Sequence, residues 1–486
     1  MTKDAIANTI LQGNGNIIIF QASSRQEVIE KEEQIQTDNA IGSNPYKGLL
    51  SFDEQDCDRY FGREAQINKF WEEFAKIYQQ DKLPRLLPIL GPSGCGKSSL
   101  ARAGLIPELV KRPLLGLKSW KVIILKPGVR PLESLADVLA RVASNDLAPF
   151  VTKSESFLEI LESKRSGEWA GLRRIAGNLP EIDISPLIVF VDQFEEVYSL
   201  CQDIKERNAF INNLLHAASD CTKRVSVIFT LQSDFLAEIQ KQSQFNKAIG
   251  KEDFNCIVTA MEKEELTKAI ARPAKNAGYP LDSGTVQLLI EQTKGRQGAL
   301  PLLQFALAQI WDSWREGISP AETLEKIGGV GGALAGVAQK IFNSLDEQEK
   351  EIAKRLFLEL VNVGEEGQYS RCRIEVRKVV GATEKFEQVK KVIDKFASNK
   401  ARLISLSINN KENQIAEVTH EALFTNWDQF NRWLEESRKS LIQKQKIDSA
   451  ATEWEINDKS RDYLWQGERL NKAKKFAKNN LEKFPL

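Results

Sequence analysis

The sequence predicts an α/β fold: a P-loop NTPase core, with a parallel sheet and flanking helices, followed by an α-helical lid, a winged-helix domain and a helical C-terminal segment. Three observations lead to this prediction. An apolar strand runs into a glycine loop at residues 86–100. Strand-like runs then alternate with helical runs, the pattern of a parallel sheet with crossover helices. After Met261 the strand signals give way to apolar residues at helical spacing.

The glycine loop is the most informative segment of the chain. It has the pattern G-x-x-x-x-G-K-S between an apolar strand and a helix, which is the Walker A loop in its expected context. Glycines let the backbone fold tightly around phosphates, and the N–H groups at the helix start face the anionic oxygens. Lys97 can reach the outer phosphates, and the Ser98 hydroxyl can hold Mg²⁺. The predicted phosphate-contacting residues are Gly91, Pro92, Ser93, Gly94, Cys95, Gly96, Lys97, Ser98 and Ser99.

A second apolar strand, at residues 187–191, ends in an acidic turn. Asp192 occupies the Walker B position, which holds Mg²⁺ directly or through water. Many ATPases place a water-orienting carboxylate directly after this Asp, but the next residue here is Gln193. Glu195 and Glu196 follow at once and are the candidate bases. Lys97, Asp192, Glu195 and Glu196 therefore form the predicted catalytic set, with Ser98 and Asp192 as the metal ligands.

Five β-rich runs separated by helices make up the predicted NTPase core, residues 44–260. The strands are expected at residues 86–90, 122–125, 187–191, 225–231 and 255–258. The helical lid is expected at residues 261–330, and a glycine run at 328–332 predicts a hinge or loop. Helices followed by two β-like runs predict a winged-helix domain at 331–425. Residues 426–486 are helical, charged and tryptophan-bearing, and form the predicted connector, whose tryptophans we interpret as core residues.

Residues 1–43 differ from the rest and are interpreted as a signalling or linker segment. Residues 10–21 join a Gly/Asn turn to a β-branched run, and a polar, acidic stretch follows to about residue 43. One interpretation of the β-prone run is a hairpin with its turn at residues 13–15. The other is a homotypic β-stacking segment, because the run is short, uncharged, free of proline and rich in Asn and Ile. Both interpretations stay open at this point.

Composition excludes several classes of protein. The 486 residues include 67 basic and 67 acidic side chains, so no global basic field argues for nucleic acid. No apolar run approaches the roughly 18 residues of a membrane span. Asp4 and Asn8 stand where a secretory signal would carry a basic start and an apolar core. The six cysteines include no C-x-x-C pair, so we expect neither a disulfide framework nor a zinc site. The same cysteine usage predicts a cytoplasmic location.

An ordered set of motifs resembles the novel STAND NTPase family, type one, which comprises signal-transduction ATPases related to the nucleotide-binding modules of apoptotic and innate-immunity switches. The resemblance covers about residues 44–470. Beyond the Walker motifs it is carried by Asn44-Pro45-Tyr46-Lys47-Gly48-Leu49, Tyr60-Phe61-Gly62-Arg63-Glu64, Thr230-Leu231-Gln232-Ser233-Asp234-Phe235, Ala269-Ile270-Ala271-Arg272-Pro273-Ala274, Leu300-Pro301-Leu302-Leu303-Gln304-Phe305-Ala306-Leu307 and Thr419-His420-Glu421-Ala422-Leu423.

The resemblance implies further nucleotide-binding residues. Phe61, Gly62 and Arg63 match the family's adenine-side motif. Pro301 resembles the lid proline that packs near the nucleotide. His420 resembles the winged-helix histidine that, in related switches, reaches the β-phosphate of ADP and holds the closed state. The family often has Arg at the position of Gln232, and a neutral Gln gives far less charge stabilisation, so the departure implies slow hydrolysis.

The resemblance also implies a function: a slow ATPase switch that uses ATP, ADP and Mg²⁺. ADP would hold the closed state, and exchange for ATP would allow opening and self-association. The N-terminal segment would engage an effector protein, in bacterial defence or cell-death signalling. Members of the family usually continue into WD or other repeats, and this sequence ends at residue 486 before any repeat. Whether it is a fragment of a longer repeat protein stays open.

Two other functions are compatible with the same motifs. One is an AAA+-like ATPase that acts on DNA through its winged helix, and the other is a nucleotide-binding scaffold that never hydrolyses. Basic residues support DNA contact, but acidic residues are interleaved with them, which favours a solvated mixed-charge face. The basic residues are Arg371, Arg373, Arg377, Lys378, Lys385, Lys390, Lys391 and Lys395, and the acidic ones are Glu375, Glu384, Glu387 and Asp394.

Overall fold

The computed structural model describes residues 9–13, 15–21, 43–80, 84–114, 116–143, 150–165, 167–201, 203–241, 245, 256–295, 298–364, 369–381, 384–398, 401, 403–408, 413–456 and 459–480. The chain divides into two compact units. The first comprises Met1–Ser23 and Ser51–Pro280, and the second comprises Ser24–Leu50 and Leu281–Leu486. The five-part division predicted from the sequence is finer and stays a prediction. Most of the polar stretch predicted to link residues 23–43 lies outside the described residues.

The first unit is built on a mainly parallel sheet. Its strands are β1 (Thr9–Gly13), β2 (Gly15–Gln21), β3 (Leu86–Gly91), β4 (Lys121–Leu125), β5 (Leu187–Val191) and β6 (Val225–Gln232). Their spatial order is β1-β2-β4-β5-β6-β3, and every neighbouring pair except β1–β2 is parallel. Beyond β3, a parallel bridge joins Leu90 to Ile257. Four predicted core strands are thus confirmed, and the fifth is reduced to this bridge.

The sheet has a hydrophobic core on each of its two faces, because successive side chains of a strand point to opposite faces. Leu86, Ile123, Val189 and Phe229 lie in one core, and their neighbours Leu87, Val122, Ile188 and Ile228 lie in the other. The first core is covered by helices Pro131–Ala143, Phe150–Glu162, Gly171–Gly177 and Ile204–Ala218, and the second by helix Glu64–Gln79 and the Lys97–Lys111 helical run. Shorter helices are Glu196–Ser199 and Leu236–Gln240, and Lys263–Asn276 ends the unit. The P-loop NTPase core predicted from the sequence is therefore confirmed.

The β-prone N-terminal run forms a backbone hairpin. β1 and β2 are antiparallel with Gly13 opposite Gly15, and β2 lies parallel to β4, so that β1 is the edge strand of the sheet. This arrangement agrees with the first of the two interpretations. The stacking interpretation stays a hypothesis about a different state.

The second unit is mostly helical. Its helices are Ser283–Thr293, Ala299–Arg315, Pro320–Lys326, Gly329–Asn343, Glu347–Glu359, Phe386–Ala397, Ala422–Asn426, Asp428–Ile456 and Gly467–Asn480. Its strands are β7 (Val361–Val363), β8 (Tyr369–Arg371), β9 (Ile374–Glu375), β10 (Ile404–Ile408) and β11 (Gln414–Val418). β7 pairs with β8, and β11 lies between β10 and β9.

The glycine run at 328–332 was predicted to form a hinge or loop, and this prediction is wrong. Helix Gly329–Asn343 begins inside it, so only Gly328 precedes the helix. Gly328 has φ of 73° and serves as the N-cap, and the Gln292 side chain accepts the Val330 N–H at 2.8 Å. Glycine here caps a helix and does not break one.

An aromatic cluster forms the core of the second unit. Trp427 is buried with edge-on contacts to Phe342, Phe357 and Trp433, and its indole N–H donates to Gln339 at 2.9 Å. Trp454 and Trp465 are half-buried. The prediction that the tryptophans are core residues therefore holds for Trp427 and Trp433. Across the described residues, no helix is both long and apolar enough to span a membrane.

Candidate functional site

The phosphate loop leaves the carboxyl end of β3 and closes on the helix that begins at Lys97. Gly94 and Gly96 have φ of 72° and 93°, a region that side chains rarely adopt. A Cβ on Gly91 would lie 2.7 Å from the Cys95 sulfur and 3.0 Å from the Val258 carbonyl. The loop thus requires glycine for two separate reasons, backbone conformation at 94 and 96 and space at 91. This geometry leaves a backbone surface suited to phosphates.

Lys97 is buried at the first position of that helix. Its ammonium donates to the carbonyls of Gly91 at 2.9 Å and Pro92 at 2.8 Å, so the charge lies over the loop itself. An ammonium is a compact charge on a flexible stem, and it can exchange carbonyl partners for phosphate oxygens with a small movement.

Asp192 lies at the end of β5 and is 2% exposed. Its Oδ1 accepts the Ser98 hydroxyl at 2.7 Å and the Thr230 hydroxyl at 2.8 Å. Two hard oxygen donors, Ser98 and Asp192, therefore meet beside the phosphate loop. Mg²⁺ in such sites takes one or two protein oxygens and completes its shell with phosphate and water oxygens, so the donor set fits. Among the described residues there is no group of three or more His, Cys, Asp or Glu side chains that could hold a metal ion.

The acidic turn after Asp192 has an unusual backbone. Gln193 has φ of 59°, and its N–H donates to the Thr230 hydroxyl at 2.8 Å. The next N–H, of Phe194, donates to the Thr230 carbonyl at 2.9 Å, and the Phe194 ring is fully buried. Thr230 thus holds both Asp192 and the turn. The turn directs the chain back toward the end of β6, so that Glu195 lies beside that strand.

Glu195 and Glu196 are each 7% exposed, yet they have different partners. Glu195 accepts the backbone N–H of Gln232 at 3.2 Å, and burial raises its pKa to about 7 while the Lys97 charge opposes the rise. Glu196 accepts the N–H of Gly128 at 2.9 Å, in the segment that follows β4. Glu195 therefore belongs to the site with Lys97 and Gln232, and Glu196 binds a neighbouring loop.

The segment predicted to lie on the adenine side, Phe61-Gly62-Arg63, is next to the phosphate loop. Arg63 is 2% exposed, and its guanidinium donates to the carbonyls of Thr259 at 2.8 Å and Cys95 at 3.4 Å. Gly62 has φ of 92°, and a Cβ there would lie 2.4 Å from the Glu265 carbonyl. Phe61 is half-buried beside the Arg272 guanidinium. Arg63 thus joins the phosphate loop to the strand-like segment at 256–259.

Pro301 and His420 lie in the second unit. Pro301 is in the first turn of helix Ala299–Arg315, where the missing N–H has no intrahelical acceptor. His420 is half-buried before helix Ala422–Asn426, and its Nδ1 accepts the Ala422 N–H at 3.0 Å. An accepting Nδ1 places the ring proton on Nε2, so the imidazole presents a donor on that side. The assignment of both residues to the nucleotide stays a prediction.

The structure brings together the phosphate loop, Asp192, Glu195, Gln232 and Arg63. Sequence reasoning missed Thr230, which binds Asp192 and the turn, and missed the buried pair of Glu54 and Arg102 beside the phosphate-loop helix. Thr230 carried a signal, because it is a polar residue in a mostly apolar strand, two positions before Gln232. No sequence signal indicated the contact between Glu54 and Arg102, because the two residues are 48 positions apart in the chain.

A phosphate-binding glycine loop on a parallel sheet, with an acid and a hydroxyl converging beside it, defines a P-loop NTPase. The chain belongs to the Novel STAND NTPase 1 family, whose model matches residues 45–462. Comparison with curated proteins gives no match.

The solved structures that match this chain include the following three. The Walker-type ATPase Paby2304 of Pyrococcus abyssi is 12% identical with a TM-score of 0.38, covering 78% of this chain and 98% of its own. The Aeropyrum pernix ORC1 protein in complex with DNA is 13% identical with a TM-score of 0.41, covering 77% and 93%. Drosophila ORC bound to DNA is 13% identical with a TM-score of 0.38, covering 82% and 95%. At these values the likeness transfers no function of the named proteins.

Proposed function

We propose that the protein is a STAND-type ATP-binding switch that hydrolyses ATP slowly and opens and self-associates according to the nucleotide it holds. The observation that carries the proposal is the site around Asp192. Ser98 and Thr230 bind Asp192 at 2.7 and 2.8 Å, beside a complete phosphate loop, so binding of a Mg²⁺-nucleotide is well provided for. The groups that would speed hydrolysis are weak by comparison.

The weakness lies in the base and in Gln232. Mg²⁺ bound at Ser98 and Asp192 would supply charge neutralisation at the β- and γ-phosphates. Lys97 exchanges its loop carbonyls for phosphate oxygens, and Glu195 accepts the proton of the attacking water. Because the pKa of Glu195 is raised to about 7, a large share of molecules at neutral pH has no ionised base. Gln232 contributes no positive charge to the transition state. Slow turnover suits a switch, because the bound nucleotide sets the lifetime of each state.

The closed state is proposed to use the second unit. Pro301 would pack near the nucleotide, and the Nε2–H of His420 would donate to the β-phosphate of ADP. The tautomer expected from the Ala422 N–H contact supports this role, since it makes Nε2 the donor. We infer a winged-helix domain around His420. The chain order of helix Glu347–Glu359, β9, helix Phe386–Ala397 and the hairpin β10–β11 supports it.

DNA action is the less favoured function, because acidic partners occupy several of the basic residues. Arg373 and Arg371 contact Glu417 at 3.0 and 3.4 Å, and Lys395 contacts Glu349 at 2.7 Å. Such pairing leaves a mixed-charge face, as the interleaved sequence predicts. ATPase activity that depends on DNA, with a steep salt dependence, would reverse this preference.

The N-terminal segment is proposed to pass the signal to an effector protein, by β-stacking with a similar segment. The uncharged, Pro-free composition of its residues 10–21 supports this role. Deleting residues 1–43 should spare ATP binding and remove signalling.

The test of the switch is to identify the nucleotide that co-purifies with the protein and to measure molecular mass before and after Mg·ATP is added. We expect ADP in a monomer, and a larger assembly with ATP. His420→Ala should lose ADP faster and assemble without added ATP, whereas His216→Ala is the matched control in the first unit. A protein that stays monomeric with every nucleotide is not a switch of this kind.

A further inference from the structure

Residues 44–56, here called the strap, carry the chain from one compact unit into the other. The division between the units falls between Leu50 and Ser51. Leu50 is 38% exposed and Ser51 is exposed, whereas Tyr46, Leu49 and Phe52 are buried. The strap therefore has buried residues on both sides of the division and exposed residues at the division itself.

The first-unit end of the strap is anchored to the helical run that follows the phosphate loop. The Phe52 N–H donates to the Ser99 hydroxyl at 3.1 Å. Arg102 donates twice to the Glu54 carboxylate, at 2.8 and 3.1 Å, and both side chains are buried. A capping box between Asp53 and Asp56 shapes the 3₁₀ turn Glu54–Asp56 that presents Glu54. Bidentate Arg–carboxylate contacts fix orientation as well as distance.

These anchors lie beside the metal ligand Ser98. Ser99 is its neighbour in sequence, and Arg102 lies about one helical turn further on. Arg102 belongs to a π-helical turn, Leu100–Leu105, inserted between the α-helical segments Lys97–Ser99 and Ile106–Lys111. Single π-helical turns are rare and occur often at functional sites. The strap therefore contacts the phosphate-loop helix where its geometry is irregular.

The second-unit end of the strap is anchored to helix Ala299–Arg315, whose first turn contains Pro301. The Asn44 amide donates to the Ala308 carbonyl and to the Asp312 carboxylate, each at 3.1 Å. The Tyr46 ring meets the Trp311 ring edge-on, with centroids 6.1 Å apart. Gly48 has φ of 63°, so the turn there requires glycine. This end of the strap is fixed to the helix proposed as part of the lid.

We propose that the strap couples the nucleotide site to helix Ala299–Arg315, and that Glu54 and Arg102 are positioning residues that hold Ser98 in place through the phosphate-loop helix. The coupling rests on the proposed switch function. Its physical basis is short reach: three residue steps separate the buried residues Leu49 and Phe52, and a chain spans at most about 3.5 Å per residue. So short a link cannot let Leu49 and Phe52 separate by more than roughly 10 Å, and a displacement of one anchor beyond that limit is passed to the other.

The coupling is tested by giving the strap slack. A Gly-Ser dipeptide is inserted between Leu50 and Ser51, and the matched control carries the same dipeptide between Pro280 and Leu281, where the chain also crosses between the units. Hydrogen exchange is compared in ADP and in Mg·ATP for peptides of the phosphate loop and of helix Ala299–Arg315. We expect the strap insertion to keep the nucleotide response of the loop and to reduce that of the helix at least about fivefold. The control insertion should keep both responses.

The outcomes separate the two proposals. A strap-inserted protein whose helix still responds as in the unmodified chain overturns the coupling alone. An equal loss in both insertions also overturns it, because any lengthened crossing would then do the same. If the helix of the unmodified chain shows no difference between ADP and Mg·ATP, the switch function fails and the coupling fails with it.

The positioning role is tested with Glu54→Ala and the conservative Glu54→Gln. We expect Glu54→Ala to weaken Mg·ATP binding about tenfold and to leave ADP binding in EDTA nearly unchanged, because Ser98 matters only when the metal is present. Glu54→Gln should recover most of the loss, since its amide oxygen still accepts from Arg102. Equal weakening with and without Mg²⁺ would mean that Glu54 merely stabilises the fold.

Discussion

The phosphate loop and the acidic turn at 192–196 both follow parallel strands of one sheet, and both contain left-handed backbone. The loop reaches it with glycines, φ 72° at Gly94 and 93° at Gly96, whereas the turn reaches it with Gln193 at φ 59°. A loop whose backbone must face phosphates has glycine at its left-handed positions, but the turn only has to redirect the chain. The hydroxyl and carbonyl of Thr230 hold it there. The difference teaches that the loop is specified by its own residues and the turn by a neighbouring strand.

The largest expected effect is on the loop side. Lys97→Ala removes a charge that the loop cannot replace, and we expect Mg·ATP affinity to fall at least about a hundredfold, close to 3 kcal/mol. Isothermal titration calorimetry measures this. Lys111→Ala is the control, because that lysine ends the same helical run with its side chain 59% exposed. Unchanged affinity in Lys97→Ala would remove the loop from the nucleotide site.

The next effect tests the strand that holds the turn. Thr230→Val keeps the shape but removes one of the two hydroxyls that donate to Asp192 and the hydroxyl that accepts the Gln193 N–H, so the free energy of unfolding should fall by about 2 kcal/mol. Chemical denaturation with and without Mg²⁺ gives the value. Ser226→Ala is the matched control on the same strand, since the buried Ser226 hydroxyl has no hydrogen-bond partner among the described residues. We expect that control to be neutral or slightly stabilising, and equal losses in both variants would deny Thr230 a special role.

The third prediction separates the two glutamates of the turn. Hydrolysis should rise with pH through about 7 as Glu195 ionises. Glu195→Gln should abolish it, whereas Glu196→Gln, which retains an acceptor for Gly128, should keep most activity and the same pH profile. Single-turnover phosphate release across pH 5.5–8.5 measures both, within a range of roughly 1.5 units on either side of that pKa. A Glu196→Gln variant that is the inactive one would reverse the assignment.

Stability gives a second readout of Glu195. Its pKa is raised from the ordinary value of 4.5 to about 7, so the folded state holds the proton more tightly than the unfolded state. The resulting stabilisation is full below about pH 4.5 and is lost as pH rises through about 7. Glu195→Gln cannot lose a proton. Its unfolding free energy relative to the unmodified chain should therefore increase over that interval, by up to about 3 kcal/mol.

The sequence was sufficient for the sheet and for the residues of the loop, because both depend on local patterns. Apolar runs predicted β3, β4, β5 and β6 within one or two residues, and the glycine spacing located the loop. It could not separate Glu195 from Glu196, since that depends on a positive φ at Gln193 and on a contact with Gln232 on another strand. The helix inside the glycine run at 328–332 was missed for a related reason. Glycine signals a break in isolation, but Gln292, from a different helix, accepts the Val330 N–H there.

The smallest expected effect addresses Gln193 itself. A side chain at φ 59° costs about 1 kcal/mol relative to glycine, so Gln193→Gly should raise unfolding free energy by a little under that amount, and Gln193→Val should lower it by more than 1 kcal/mol. Differential scanning calorimetry resolves shifts of this size.

Gln193→Glu is the companion variant for activity. It restores the acid that many ATPases carry directly after the Walker B residue, but the left-handed backbone gives that side chain a different direction from the usual one. We therefore expect no gain in hydrolysis, because Glu195 already occupies the place beside Lys97 and Gln232. A marked acceleration in Gln193→Glu would mean that the backbone at residue 193 can leave the left-handed conformation. The contacts with Thr230 would then not determine the conformation of the acidic turn, and the contrast with the phosphate loop would fail.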